Sequence, residues 1–156
     1  MSMQKALPRL LLAACASQGP GPSATPTPTI TPDIPPTIQP QEIAGRWGLA
    51  AFHKPEDLKR TEAAARNGCK QPYVIGLGPN GGVIMHMPDT AQPQELKVRG
   101  APGNKTFIGP AEGEVGGIQD REITSFDGRV MTMRFMDPEV VGRYGTQVYV
   151  RCAPRA

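Results

Sequence analysis

Residues 43–52 read Ile43-Ala44-Gly45-Arg46-Trp47-Gly48-Leu49-Ala50-Ala51-Phe52, and this stretch decides the fold. Successive side chains of a β-strand point to opposite faces, so residues 43, 45, 47, 49 and 51 share one face. Apart from one glycine, every residue on that face has an apolar side chain. The stretch therefore predicts the opening strand of a β domain.

Seven further strand-like runs follow, separated by turn signals such as Pro79-Asn80-Gly81 and the two-residue hairpin signal Asp127-Gly128. They cover residues 73–77, 82–87, 95–99, 105–108, 118–126, 129–135 and 146–152. Short strands at such intervals are typical of an antiparallel sandwich or barrel. A sheet of about eight strands can close on itself, which removes its exposed edges. We therefore expect a mainly β fold, a small antiparallel eight-stranded barrel.

One short helix is expected after the first strand. Lys54-Pro55-Glu56-Asp57-Leu58 has proline in the first turn and acidic side chains near the N-terminus, both typical of a helix start. Ala63, Ala64 and Ala65 have high helix propensity, and Asn67-Gly68 ends the run. The weak apolar stripe of this segment predicts a helix lying on the sheet or across its end.

The chain has three cysteines: Cys15 near the start, and Cys69 and Cys152 in the β domain. If Cys15 lies at the site where a leader is cleaved, two cysteines remain in the domain. This even number indicates a Cys69–Cys152 disulfide formed in an oxidising compartment. The alternative is two unpaired buried thiols, because free cysteine is among the most buried residue types.

The first fourteen residues have the order of a signal peptide, with Lys5 and Arg9 ahead of an apolar run that ends in Leu12-Ala13-Ala14. Leu12-Ala13-Ala14-Cys15 resembles the bacterial lipobox, and the resemblance implies that Cys15 is lipidated and begins the mature protein. The apolar run after Arg9 is short, so either Leu7 contributes to it or translation starts upstream. In that family an aspartate after the cysteine holds the protein at the inner membrane. Ala16 at that position implies the outer membrane.

Residues 15–40 are predicted to be a tether between the lipidated cysteine and the domain of residues 41–156. Residues 18–40 include eight prolines, each of which removes an N–H and fixes φ. Such a segment is a spacer that holds a domain off a membrane surface. Without Lys5, Arg9 and Asp33, 15 basic and 13 acidic side chains remain in the domain, a net charge of +2. These charges are interspersed, which does not support nucleic-acid binding.

Gly45-Arg46-Trp47 on the first strand of an eight-stranded domain resembles the calycin group, which contains the lipocalins and the small bacterial inhibitors of secreted metalloproteases. The resemblance implies a barrel with Gly45 and Trp47 at one end and an arginine packed on the tryptophan, a role that Arg151 or Arg143 could take. Our interpretation of Trp47 is that it fills the end of the barrel. The position of the cysteines differs from that of the inhibitors, because here the helix comes between the first strand and Cys69.

No motif predicts catalysis, a cofactor or a metal. The letters Gly76-Leu77-Gly78-Pro79-Asn80-Gly81 fit a phosphate-binding pattern, but a strand-like run follows them, so they are read as a turn. Met85-His86-Met87 resembles a copper ligand set, yet a strand puts His86 opposite the two methionines. We interpret the methionines as interior filling that could line a lumen. The candidate lumen residues are Met85, Met87, Met131, Met133 and Phe135.

The sequence thus predicts a non-enzymatic, lipid-anchored envelope protein, facing the periplasm from the outer membrane. Its domain is expected to be a monomer that binds a small apolar molecule or a protein partner. Two alternatives stay open: a periplasmic inhibitor of a secreted protease and a purely structural envelope lipoprotein.

Overall fold

The structure, a computed structural model, describes residues 33–153, and its eight strands form a closed antiparallel barrel. Each strand pairs with the next along the chain, and the last pairs with the first through residues Trp47–Phe52 and Thr146–Arg151. The predicted barrel is confirmed, and the open sandwich is excluded. The strands are β1 (Gly45–Phe52), β2 (Tyr73–Leu77), β3 (Val83–His86), β4 (Pro93–Ala101), β5 (Lys105–Gly109), β6 (Arg121–Phe126), β7 (Val130–Phe135) and β8 (Thr146–Arg151).

Large apolar side chains fill most of the barrel interior. They come from every strand, because alternate residues face inward. A cavity opens at one end of the barrel, beside this packed core. The fully buried members of this core include Trp47, Ile75, Val83, Met85, Leu96, Ile108, Met131, Met133 and Tyr149.

The predicted helix after the first strand is present as α2 (Leu58–Asn67), preceded by a short 3-10 turn. It packs on the outside of β1 and β8, where Ala65, Val148 and Val150 form a second, smaller core. Gly48 permits this close approach, since a Cβ atom there would lie 1.8 Å from the Ala65 carbonyl oxygen. Just after the helix, a disulfide joins Cys69 to Cys152, as the cysteine count predicted.

A short helix, α1 (Pro40–Ile43), precedes β1 and covers one end of the barrel, called here the α1 end. The sequence prediction placed Ile43 on the first strand, and this was wrong. Pro40 has the fixed φ that suits the first turn of a helix, and the Ala44 N–H bonds back to its carbonyl oxygen. Ile43 instead adds its side chain to the core from the helix.

Part of the predicted tether contacts the barrel. The N–H of Gly100 donates to the Ile34 carbonyl oxygen at 3.1 Å, and the hydroxyls of Thr37 and Thr106 lie 3.3 Å apart. Gly100 is needed here because a Cβ would lie 2.5 Å from the Pro35 carbonyl oxygen. The prediction counted residues 33–40 in the tether, whereas in the structure they lie against the domain.

The opposite end of the barrel is called the α3 end, after the helix α3 (Pro138–Tyr144) that connects β7 to β8 there. Asp137 caps this helix by accepting a hydrogen bond from the Glu139 N–H. At the α1 end, the Asp127-Gly128 connection has three residues between strands rather than the predicted two. The Asp127 carboxylate accepts the N–H groups of Arg129 and Val130, which stabilises the longer loop.

Within residues 33–153, no helix has the length and apolar character needed to cross a bilayer.

Candidate ligand-binding cavity at the α3 end

A cavity of about 190 Å³ opens at the α3 end of the barrel. It lies between the inward-facing residues at the ends of the strands and the segments that connect β3 to β4 and β7 to β8. Apolar and polar side chains share its wall, the composition typical of small-molecule sites. The lining residues are Leu49, Tyr73, His86, Met87, Pro88, Asp89, Arg121, Phe135, Tyr144, Gln147 and Tyr149.

Arg121 is the principal charged residue in the wall. It begins β6, where Arg121 and Ile123 both face inward, and only 4% of its surface is exposed. Its guanidinium donates a hydrogen bond to the His86 carbonyl oxygen at 2.6 Å and lies over the Phe135 ring, 4.8 Å from the ring centre. Within residues 33–153, no carboxylate forms an ion pair with it. The wall therefore holds a buried positive charge without a neutralising partner.

Tyr149 adds a neutral hydrogen-bonding group. Burial raises the pKa of Tyr149 to about 12, while the nearby Arg121 charge acts in the opposite direction. The phenol is therefore protonated at ordinary pH, and its hydroxyl donates to the Gln147 side-chain oxygen at 3.0 Å. Together with Arg121, it gives this part of the wall hydrogen-bond donors and a positive potential.

Tyr73 and His86 complete the polar part of the wall. The Tyr73 hydroxyl accepts a hydrogen bond from the His86 backbone N–H at 3.0 Å and lies 3.2 Å from the imidazole Nδ1. These bonds hold both side chains in place across β2 and β3. The Tyr73 ring also packs edge-on against Tyr149, with ring centres 6.2 Å apart. The imidazole is thus restrained by a phenol, and no carboxylate among residues 33–153 bonds to it.

The rim of the cavity is bridged by three side chains, which we call the rim clasp: Asp89, Arg143 and Tyr144. Arg143 donates two hydrogen bonds to the Asp89 carboxylate, at 2.9 and 2.8 Å, and the Tyr144 hydroxyl donates a third. The Arg143 hydrogen bonds, followed by that from Tyr144, lower the pKa of Asp89 to about 2. The clasp joins the β3–β4 connection to α3 over the cavity.

The predicted lumen residues divide into two groups. Met87 and Phe135 line the cavity. Met85, Met131 and Met133 do not: they are at most 1% exposed and belong to the packed core. Their flexible side chains fill the interior, so Met87 and Phe135 are the two candidate lumen residues that border this cavity.

The residues predicted for the end of the barrel lie at the α1 end, away from the cavity mouth. Arg151 lies over Trp47, 4.2 Å from the centre of the ring, and Gly45 leaves room for the Arg151 guanidinium. Arg143, the other arginine considered for this role, lies in the rim clasp. Cys15, the predicted lipidation site, falls outside the described residues.

Sequence reasoning missed Arg121, Tyr149 and Gln147 as site residues. A signal for Arg121 was available, because a charged residue two positions before inward-facing Ile123 has to point into the barrel. The buried carboxylate of Asp120, next to Arg121 in the chain, is paired with Arg99 at 3.0 Å and accepts the Gly116 N–H. That buried ion pair holds the β5–β6 loop in place.

The described residues contain no group of three His, Cys, Asp or Glu side chains placed to hold a metal ion. What the cavity offers is one buried guanidinium, phenol and amide groups, and an apolar wall. Such a surface is suited to binding and orienting a small molecule. No family model, curated protein or solved structure matches this chain.

Proposed function

We propose that this protein is a non-catalytic binding protein that takes a small molecule into the cavity at the α3 end. The observation that carries the proposal is the cavity itself, which opens at one end of a barrel with a core of tightly buried apolar side chains. Its volume of about 190 Å³ lies below the range of ~300–1,000 Å³ typical of pockets for drug-sized ligands, so the ligand is compact.

The composition of the wall favours binding over catalysis. None of the lining residues is a serine, threonine or cysteine, so the cavity offers none of the common hydroxyl or thiol nucleophiles. Its one carboxylate, Asp89, is engaged in the rim clasp. Leu49, Met87 and Phe135 supply apolar surface that a ligand would cover.

We further propose that the domain is held at the bacterial outer membrane, facing the periplasm, by lipid on Cys15. The lipobox-like run Leu12-Ala13-Ala14-Cys15, the proline-rich spacer and the Cys69–Cys152 pair support this location. Incorporation of labelled palmitate into the chain expressed in a diderm bacterium tests the lipid anchor. The Cys15→Ser variant should lose the label, and equal labelling of both chains would contradict the proposal.

Native mass spectrometry of the full chain isolated from cell envelopes tests the binding function. We expect a population that carries a bound small molecule. Leu49→Phe enlarges a side chain of the cavity wall and should reduce that population severalfold. Val74→Phe makes the same kind of enlargement at a residue that is 61% exposed on the outside of β2, and it should leave occupancy unchanged.

Repeatedly empty spectra for the unmodified chain would contradict a binding function for the cavity. Equal loss of ligand in both phenylalanine variants would show that the ligand occupies another place.

A further inference from the structure

We propose that the ligand carries a single negative charge, in the form of a carboxylate, and that Arg121 with Tyr149 binds this group. The inference rests on the proposed binding function and specifies the chemistry of its ligand. The remainder of the ligand would be a compact apolar body lying against Leu49, Met87 and Phe135.

The argument begins with the cost of burying Arg121. Moving a charged group out of water is unfavourable unless a charge of opposite sign and hydrogen bonds compensate it. Arg99 illustrates the usual solution, because its guanidinium pairs with the buried Asp120 at 3.0 Å. Arg121 is more deeply buried than Arg99, but its partners among residues 33–153 are the His86 carbonyl oxygen, the Phe135 ring and the adjacent Tyr149, none of which carries a negative charge. An anion in the cavity would supply the missing compensation.

The charge and shape of the site favour a carboxylate over a phosphate. Arg121 is the one arginine or lysine that lines the cavity, and it has no anionic partner there. Arg143 lies outside the lining and is neutralised by Asp89 at the rim. A carboxylate brings one negative charge, whereas a phosphate monoester brings about 1.5 to 2 at neutral pH. A planar guanidinium also binds a planar carboxylate through two parallel hydrogen bonds. The Tyr149 hydroxyl has one proton, which bonds the Gln147 side-chain oxygen, and it would donate to the carboxylate in exchange for that bond.

The size of the cavity limits the rest of the ligand. At ~30 Å³ for each water molecule in the liquid, 190 Å³ corresponds to about six water molecules. Small aromatic or short-chain aliphatic carboxylates have this size, and a long acyl chain does not fit within the barrel.

The test uses two pairs of probes that keep shape and change charge: benzoate with benzamide, and hexanoate with hexanamide. Binding to the full chain is measured by calorimetry at fixed ionic strength. We expect at least one carboxylate to bind about tenfold more tightly than its amide, because hydrogen bonds to a charged group are the stronger ones. Arg121→Gln should abolish that preference, and Arg121→Lys should retain part of it. Arg46→Gln, the same change at an exposed position on β1, should have no effect.

Thermal unfolding separates a ligand-binding role from a structural one. If Arg121 serves binding, Arg121→Gln should unfold within a few degrees of the unmodified chain, or higher, because it removes an uncompensated buried charge. If Arg121 were mainly structural, the variant would be strongly destabilised and the variant's carboxylate preference would persist. Arg121→Lys retains the charge and provides the binding measurement if Arg121→Gln does not fold.

The outcomes distinguish this inference from the proposed function. Equal affinity for carboxylate and amide, or a preference that survives Arg121→Gln, would overturn the anionic anchor and leave the binding function standing. If neither probe binds, the molecule released from the envelope-purified protein decides: a carboxylate supports the inference and an uncharged ligand overturns it. If that protein is also empty, both the proposed function and the inference fail.

Discussion

The guanidinium of Arg151 lies over the ring of Trp47, 4.2 Å from its centre, and its three nitrogens donate to carbonyl oxygens of three separate segments. The acceptors are Gly128 in the β6–β7 loop, Glu42 in α1, and Ala44 between α1 and β1. The indole N–H of Trp47 donates in turn to the Ile43 carbonyl oxygen at 2.8 Å. One side chain therefore joins α1, β1, β8 and a hairpin loop, and closes the α1 end.

Arg151→Lys should lower the free energy of unfolding by about 2 kcal/mol. A lysine retains the charge but lacks the planar group that stacks on the indole while donating in three directions. Urea denaturation followed by tryptophan fluorescence measures the change. Arg46→Lys, at an exposed residue of β1, should stay within ~0.5 kcal/mol of the unmodified chain. Equal stability of the two lysine variants would show that the Arg151 contacts contribute little.

Gly48→Ala should destabilise the domain by several kcal/mol. The added Cβ would lie 1.8 Å from the Ala65 carbonyl oxygen and 3.1 Å from the Cys69 sulfur, so α2 would have to move off β1. Gly142→Ala is the matched control, because no atom lies within 4 Å of a Cβ at that position in α3. Alanine has the higher helix propensity, so this variant should be as stable as the unmodified chain or gain up to ~1 kcal/mol. Chemical denaturation of both variants decides the comparison.

The Cys69–Cys152 disulfide should stabilise the folded state substantially. It closes a loop with a sequence separation of 83, for which chain entropy gives about 4–5 kcal/mol as an upper figure. Peptide mapping without reductant should recover the two cysteines joined, and the Cys69→Ala, Cys152→Ala double variant should unfold at a lower urea concentration. Recovery of both thiols free from a periplasmic preparation would contradict both the disulfide and the exported location.

The rim clasp should depend on pH through Asp89. Its folded pKa of about 2 lies below the ordinary value of 3.8, so the clasp contributes stability that is fully present above pH 3.8. That contribution is lost as the pH falls through about 2. The difference in thermal midpoint between the unmodified chain and Asp89→Asn should therefore be constant from pH 7 to 5 and shrink towards pH 2.

Arg143→Gln is the control for the clasp, since it removes the largest cause of the lowered pKa. It should reproduce the pH profile of Asp89→Asn. A difference between the unmodified chain and Asp89→Asn that persists unchanged at pH 2 would show that the contribution of Asp89 does not depend on its charge.

Local patterns in the sequence were enough to predict the eight strands, the helix and the cysteine pair. Alternation placed Trp47 inside, and the Asn67-Gly68 signal ended α2 where the structure ends it. The error at Ile43 came from extending strand alternation across Ala44, although Pro40 had already started a helical turn. For the five candidate lumen residues, periodicity indicated the face that each occupies, but it could not indicate how much volume the neighbouring side chains fill.

The sequence by itself determined the class of fold, the number of strands and the helix after the first strand, because each follows from local periodicity and turn residues. The even count of cysteines in the domain favoured the pairing of Cys69 with Cys152, which the structure then showed. Only the tertiary structure decided where the barrel is left unfilled, and which side chains meet there. Arg121 comes from β6, and Tyr149 and Gln147 come from β8, with β7 between the two strands in the closed sheet. Their convergence depends on closure, register and packing volume, which are long-range properties that no local pattern encodes. The candidate site therefore emerges only when the sheet closes.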